Sequence, residues 1–256
     1  MSSQPRVSCL MVTANRKRIA SRAIKCFERQ TYTNKELVII DDGQQDYSDI
    51  LSHLPESSVN YIRIKQEKNV KLGELRNISL DTAKGDYLIQ WDDDDWYHSD
   101  RIKIQSEVLQ KGADACCLGA SLTHIQNSEF QHLPFLGSLN GGIPGSIMHV
   151  KNSEIRYPNS MKGEDSVYLE SWYKKEFVEL SHSMAYLFIR CYHGANTWDL
   201  QHFKRRMRNS PRLLVMYTWY KYLKQDLSKH PHFKLEGKLA KAIDQYFLDS
   251  KNLGIM

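Results

Sequence analysis

The stretch Asp86–Trp96, DYLIQWDDDDW, decides the fold. Tyr87, Leu88 and Ile89 form an apolar segment of strand type, and four consecutive aspartates follow it. Four adjacent carboxylates repel one another and disfavour a strand interior. They fit just beyond a strand's C-terminal end, where open α/β sheets place their ligands. Bunched carboxylates are stabilised by a divalent cation, and hard oxygen ligands suit magnesium or manganese. The competing reading is a solvated acidic turn between a strand and a helix.

Upstream, Val7–Ala14 (VSCLMVTA), Glu36–Ile40 (ELVII) and Val59–Ile64 (VNYIRI) are further strand-length apolar runs. Helical periodicity links them, at Ile19, Ala23, Ile24 and Phe27, and again at Leu72, Leu75, Ile78, Ser79 and Thr82. A short helix is expected within residues 46–54. Gly85 suits a left-handed helix cap. This alternation predicts parallel strands covered by helices. Three of the strands end in polar residues, at Ala14-Asn15, Asp41-Asp42 and Asp92–Asp95. One acidic turn is simply surface; three polar strand ends in one parallel sheet describe a crevice.

Downstream, a helix is expected from about residue 98 to 110, and a buried strand from Ala113 to Leu122. Phe135–Gly145 (FLGSLNGGIPG) reads as a glycine-rich loop without the Lys-Ser/Thr of a Walker A loop. Ser146–Val150 reads as a strand, 167–173 as a helix, and 177–180 and 185–191 as strands. Near Asn196 the composition shifts. Lys204–Arg208 (KRRMR) is intensely basic, Pro211 restarts the chain, and apolar helical stripes follow at Leu213–Leu223 and Lys238–Leu248. The expected organisation is one α/β domain over residues 1–195, with a helical C-terminal extension over 196–256 packed on it.

The 256 residues carry 41% apolar and 25% charged side chains, as an ordinary soluble globule does. No run of eighteen apolar residues predicts a spanning helix, and no secretory apolar region follows Met1. The five cysteines follow no metal or redox spacing, which fits buried thiols in a reducing compartment. A cytoplasmic location is therefore expected, with peripheral attachment at the inner face of the cell membrane through the basic late helices as an option. The formal charge of +5 suits an anionic substrate, membrane or nucleic acid. No nucleic-acid-binding signature appears, so no specific nucleic-acid partner is expected.

A nucleotide-diphosphate sugar needs contacts for base and ribose, neutralisation of its diphosphate, a sugar pocket, and a base for the acceptor hydroxyl. Asp42 can accept from a base N–H or ribose hydroxyl, or cap the turn near Asp46. Asp92 and Asp94 can reach a metal, with Asp93 turned elsewhere. Arg76 matches phosphate geometry, or lies on a solvated helix face. Asp165, beside Glu164, is a candidate general base, although helix starts favour carboxylates anyway. His193 can complete a metal shell. Trp91, Trp96, Trp172 and Trp198 can line a sugar pocket or fill core space.

At these residues the sequence resembles the family 2 glycosyltransferases, whose nucleotide-sugar-binding fold is called GT-A. The matching segments are Val7–Arg16, Gln30–Tyr32 with Glu36–Gly43, Leu75–Asn77, Ala83–Asp95, Gly163–Asp165 and Tyr192–Thr197, in that order. The resemblance covers roughly residues 5–200. It implies that Asp42 contacts uracil, and that Thr13 with Asn15 and Arg16 borders the nucleotide. It places the D-x-D element on Asp92 and Asp94, with Asp94 the closer metal ligand, Asp92 between ribose and metal, and Asp93 and Asp95 beside them. It makes Asp165 the base, and gives His193 a diphosphate or metal contact. The implied reaction is a metal-dependent (Mn2+ or Mg2+) single displacement with inversion, from a nucleotide sugar, UDP-linked by preference, to a hydroxyl acceptor in cell-surface polysaccharide synthesis. The processive Gln-x-x-Arg-Trp element is absent, which favours one sugar per encounter. The basic late segment suits a glycan, lipid-linked or phosphorylated acceptor. Two rivals stand beside this: a sugar-phosphate nucleotidyltransferase, which should carry a glycine- and lysine-rich loop after the first strand, and a non-catalytic glycan- or nucleic-acid-binding protein. Donor sugar, linkage, metal preference and oligomeric state are not encoded legibly.

Overall fold

A computed structural model describes residues 4–64, 70–127, 129–207 and 210–256. Arg208 of the basic run lies outside the described residues. The chain alternates β1 (Val7–Thr13), α1 (Lys17–Glu28), β2 (Lys35–Asp41), α2 (Ser48–Leu51), β3 (Val59–Arg63), α3 (Leu72–Thr82) and β4 (Tyr87–Gln90). It continues through β5 (Trp96–Tyr97), α4 (Arg101–Leu109), β6 (Ala115–Leu118), β7 (Ala120–Ile125), β8 (Phe135–Ser138) and β9 (Met148–Val150). Then come α5 (Glu164–Ser171), β10 (Phe177–Leu180), β11 (Phe188–Tyr192), α6 (Leu200–Arg205), α7 (Pro211–Thr218) and α8 (Lys238–Asn252).

Seven strands make the central sheet, in the order β10-β6-β9-β4-β1-β2-β3. Only β9 runs against the rest, pairing antiparallel with β4 and β6. The sheet is thus mostly parallel, as expected, and helices cover both faces. The period of two along β1 shows how. Val7, Cys9 and Met11 join Leu37 and Ile39 in one core with α1, α4 and α8. Leu10 joins Val38, Ile40 and Leu88 in a second core with α3 and α5. All five cysteines are buried and unpaired.

Register brings the polar strand ends together. Thr13 pairs with Asp41 across β1 and β2, and Leu10 pairs with Gln90 across β1 and β4. The acidic run therefore leaves the sheet on the same edge as Thr13 and Asp42, as the crevice argument requires.

Several local expectations are corrected. Gly85 does not adopt a left-handed conformation. Its constraint is packing, because a Cβ there would lie 2.7 Å from the Ser8 nitrogen and hydroxyl. The apolar run from Ala113 to Leu122 divides at Gly119 into β6 and β7, which belong to different sheets. The glycine-rich stretch contains β8, and the strand expected from residue 185 begins at Phe188, after a 3-10 turn. β5, β11, β7 and β8 form a second, four-stranded sheet that roofs one side of the crevice.

The C-terminal segment behaves in two ways. Helix α8 docks through Ala242, Ile243 and Tyr246 into the α1–α4 core. Helix α7 and the wide turn Trp219–Leu223 bury Tyr217 in a small cluster with Phe130, Phe135 and Phe203, and leave Val215, Tyr222 and Leu223 exposed. Among the described residues no helix is long and apolar enough to cross a membrane.

Candidate functional site

The four aspartates do four different things. Asp92 accepts from Arg76 Nη2 at 2.9 Å and from the Gln90 amide at 3.0 Å. Asp93 is buried and accepts from Thr13 Oγ1 at 2.6 Å. Thr13 in turn shares a hydrogen bond with the Tyr47 hydroxyl at 2.8 Å, and Tyr47 accepts from the Arg16 backbone N–H. Burial and the adjacent Asp94 charge push the Asp93 carboxyl up to about 7. Asp94 Oδ2 accepts from Asn196 Nδ2 at 3.0 Å, and lies 3.3 Å from both Arg16 Nη1 and His193 Nε2. Burial raises its pKa, but the His193 hydrogen bond and the Arg16 charge outweigh that and hold the carboxyl below its ordinary range. Asp95 accepts from the Cys191 N–H at 2.8 Å, and burial beside Asp94 and Asp92 raises it well above the carboxylate range.

Repulsion within the run is therefore relieved locally, one partner set per carboxylate. The sequence pattern implied a cation as the common remedy; the fold uses arginines, amide side chains and backbone N–H groups first.

Arg76 is the rivet between two walls. Its guanidinium touches Asp92 and, at 3.2 Å, Glu164, the first residue of α5. Gly163 precedes that helix at φ 76°, a left-handed position that glycine takes without strain. Glu164 is thereby drawn inward to Arg76, and Asp165 is left facing the pocket. The sequence reading selects Asp165 of these two neighbours but offers no physical reason for the choice. Asp165 accepts from the Ser166 N–H at 2.8 Å and has no cation within ion-pair distance among the described residues.

One pocket gathers Asp92, Asp94, Asp165, Arg190, Asn196 and Trp198 in its wall. Arg76 lines it as well, with its Nε and Nη2 committed to carboxylates rather than open to a phosphate. Trp198 is the pocket tryptophan; Trp91, Trp96 and Trp172 are core. Arg16 also reaches the Ala195 carbonyl at 2.7 Å, which closes the 193–197 loop over Asp94. Asn15 adopts φ 55° and accepts from the Gln44 and Gln45 N–H groups, so its side chain braces the turn after β2. Asp42 stands half-buried at the end of β2, outside the pocket wall, with its N–H bonded to the Thr13 carbonyl. Burial and the neighbouring Asp41 raise its carboxyl above the ordinary value.

The residues expected to share a metal are not brought to one point. Asp94 and His193 meet; Asp92 turns away to Arg76 and Gln90. Among the described residues no group of three or more His, Cys, Asp or Glu side chains is placed to hold a cation. The 3.3 Å between Asp94 Oδ2 and His193 Nε2 does suit two neighbouring ligands of an octahedral ion, which stand about 3 Å apart at magnesium bond lengths. These two fit a metal that draws its other ligands from substrate and water. Arg16 competes for the same oxygen.

The sequence signals missed three supports. Asn196 lies within the YHGANT segment, but nothing in its type marks it as a partner of Asp94. Arg22 sits on the buried face of α1 and donates to the Asp94 carbonyl at 2.6 Å; a charged residue at a core position of the helical period was the available signal. Asp249 on α8 accepts from Trp96 Nε1 at 2.7 Å and pairs with Arg29, tying the last helix to the flank of the acidic run.

Residues 8–159 match the family model described as Glycosyl transferase family 2. The chain belongs to that family. Among curated relatives, a protein of Escherichia coli (strain K12), described provisionally as the colanic acid biosynthesis glycosyl transferase WcaA, is 32% identical over 107 residues, which are 41% of this chain and 38% of that protein. The match thus spans little more than a third of that relative's length. Among solved structures, S. aureus TarS 1-349 in complex with UDP-GlcNAc superposes with a TM-score of 0.59 at 16% identity, covering 95% of this chain and 73% of that 1-349 chain. The mannosyltransferase PcManGT from Pyrobaculum calidifontis, in complex with GDP-Man and Mn2+, gives 0.56 at 12%, covering 98% and 70%. At such identities the likeness concerns the fold, which is GT-A-like. In this family 2 chain the matched region ends before Asp165 and His193, so both of those site residues lie outside it.

Proposed function

We propose that the protein transfers one sugar per encounter from a nucleotide-diphosphate sugar, UDP-linked in the first instance, to a hydroxyl on a glycan, lipid-linked or phosphorylated acceptor, with inversion. The reading rests on the family, and one observation carries it furthest. Asp165, a carboxylate without a counter-ion among the described residues, faces the same pocket as Asp94.

Asp165 takes the proton of the acceptor hydroxyl as that oxygen attacks the anomeric carbon, and the bond to the diphosphate breaks on the opposite side. Of the other described carboxylates lining the pocket, Asp92, Asp93, Asp94 and Glu164 are paired with arginines and Asp95 is buried against the Cys191 N–H, which favours single over double displacement. Asp42 and the end of β1 border the nucleotide, and Thr13 acts through Asp93. Arg76 orients Asp92 and Glu164, and so keeps Asp165 turned toward substrate. Asp94 and His193 would hold a divalent ion, as Mn2+ accompanies GDP-Man in the mannosyltransferase PcManGT. When bound, that ion neutralises charge developing on the leaving diphosphate. Residues 1–195 carry Asp94, Asp165 and His193, and 196–256 form a helical extension packed on them whose first residues, among them Asn196 and Trp198, complete the pocket.

The test is a panel of nucleotide sugars with manganese or magnesium, reading released products and the anomeric configuration of the transferred sugar. Release of nucleoside diphosphate with inverted product is expected. Release of pyrophosphate would instead establish a nucleotidyltransferase. Replacing Asp94 with Ala should weaken metal-dependent UDP binding at least tenfold; equal binding by the variant at saturating metal removes Asp94 from the ion site.

A further inference from the structure

Three arginines line the pocket: Arg16, Arg76 and Arg190. Arg16 faces Asp93 and Asp94, and Arg76 faces Asp92 and Glu164. Arg190 differs. Among the described residues no carboxylate lies within ion-pair distance of it. Its place on β11 is fixed by register with Thr123, and its guanidinium lies 5.1 Å from the centre of the Phe203 ring, which also lines the pocket. Behind it stands Arg206, at the end of α6, only 9% exposed, with Nη1 buried and without a hydrogen-bond partner. Arg206 packs against β8, where its Cβ would lie 3.2 Å from a Cβ added at Gly137.

Two guanidinium groups without counter-ions, one of them buried, are a costly arrangement. Burial and the charge of Arg190 push the Arg206 pKa down to about 10, while Asp165 pulls it the other way. Asp165 is thus near enough for its charge to act on Arg206. Packing alone would be served as well by an uncharged side chain. An anion entering beside Asp165 would relieve the repulsion, and a guanidinium fork matches phosphate oxygens.

We propose that Arg190, backed by Arg206, is a phosphate-binding subsite next to Asp165. Its location in a transfer pocket rests on the transferase reading; its chemistry does not. The phosphate comes either from the donor's diphosphate or from a phosphorylated acceptor, and the two sources are separable.

The full chain and its Arg190→Gln, Arg190→Lys and Arg206→Gln variants are titrated with inorganic phosphate, with UDP, and with phosphate in the presence of saturating UDP, following thermal protection and tryptophan emission. If the subsite takes the donor diphosphate, Arg190→Gln weakens UDP about tenfold or more, and UDP-saturated wild type takes up no further phosphate. If it takes an acceptor phosphate, UDP binding stays within twofold, and UDP-saturated wild type binds phosphate about tenfold better than Arg190→Gln. Either result supports the subsite, as does partial rescue by Arg190→Lys. Arg206→Gln should also weaken phosphate while leaving the melting temperature equal or higher, because a buried unpaired charge is removed. A purely structural Arg206 would instead lower the melting temperature and leave phosphate binding alone. Variants that match wild type within twofold in every titration overturn the proposal, as does a wild type that binds neither phosphate nor UDP. Phosphate binding through Arg190 without any nucleotide binding would leave the subsite standing and defeat the donor reading.

Discussion

The two walls of the pocket are built on opposite plans. The wall from the early strands is closed electrostatically: Asp92, Asp93, Asp94 and Asp95 each have partners, and Arg16 and Arg76 are both engaged with carboxylates. The wall from the later chain is open: among the described residues Asp165 lacks a cation, and Arg190 and Arg206 lack an anion. Both walls are charged and both are partly buried, so charge content does not distinguish them. What differs is how far the fold answers the charge: Asp92, Asp93 and Asp94 have arginine partners, and Asp95 is buried with its pKa raised well above the carboxylate range. A closed wall is a rigid mount, and removing one of its members should cost stability. An open wall waits for substrate, and removing one of its members should cost turnover.

The sharpest way to break that comparison is Asp165→Asn. The amide keeps the volume and the acceptor oxygen for the Ser166 N–H, and loses the basic electron pair. Transfer should fall about 10³-fold, within the range of lost general-base catalysis, with the melting temperature and UDP affinity nearly unchanged. Near-normal turnover would move the base elsewhere and erase the functional half of the contrast.

Arg76→Ala tests the closed wall. It leaves Asp92 and Glu164 facing each other with their shared cation gone, and truncating one member of a buried ionic network costs about 3 kcal/mol. Chemical denaturation should show that loss at neutral pH, with only partial recovery in Arg76→Lys, whose single ammonium cannot reach both carboxylates as a fork does. A variant as stable as wild type would mean that Arg76 is held for substrate, as the sequence first suggested.

Asp249→Ala probes how far the closed wall extends. It removes the acceptor of Trp96 and the partner of Arg29, about 2 kcal/mol for a half-buried pair of contacts to a charged group. The loss should appear as weaker docking of α8 by limited proteolysis near residue 237, and as a smaller drop in global stability. The exposed apolar residues of α7 offer a control within the same segment: Val215→Ser should leave stability within 0.5 kcal/mol, roughly the surface norm.

The sequence reading located the strand ends and carboxylates because those signals are local. β1 to β4 are separate apolar runs with turn residues between them, and DDDD cannot hide in a strand. The second sheet was not legible. β5 has two residues, and β6 and β7 follow each other with only Gly119 between them, where the chain changes sheet. Partners were the least legible of all. Asn196 reaches Asp94 across 102 positions and Asp249 reaches Arg29 across 220, and neither residue type announces its target. The resemblance extended what spacing could say about Asp165, yet only packing shows why Glu164 turns to Arg76 and its neighbour does not.

Acid offers the mildest test, because it loosens the mount of the open wall through one buried histidine. His149 on β9 is buried; one ring nitrogen meets the Val150 carbonyl at 2.8 Å and the other the Tyr168 hydroxyl at 2.9 Å. Tyr168 belongs to α5, the helix that presents Asp165. Burial pushes the His149 pKa down to about 4, and the Val150 carbonyl offsets this only in part. Between pH 6.5 and about 4 the unfolded chain binds a proton there that the folded chain refuses, so this contribution is complete above 6.5 and is lost as the pH falls through that window. At pH 5.5 the loss from this one group is roughly 1 kcal/mol. Hydrogen exchange should show residues 164–171 losing protection on acidification before β1 and β2 do, and His149→Gln should flatten that dependence. Equal loss in α5 and the central strands would mean that the two walls share one foundation, and the contrast would then lie only in their charges.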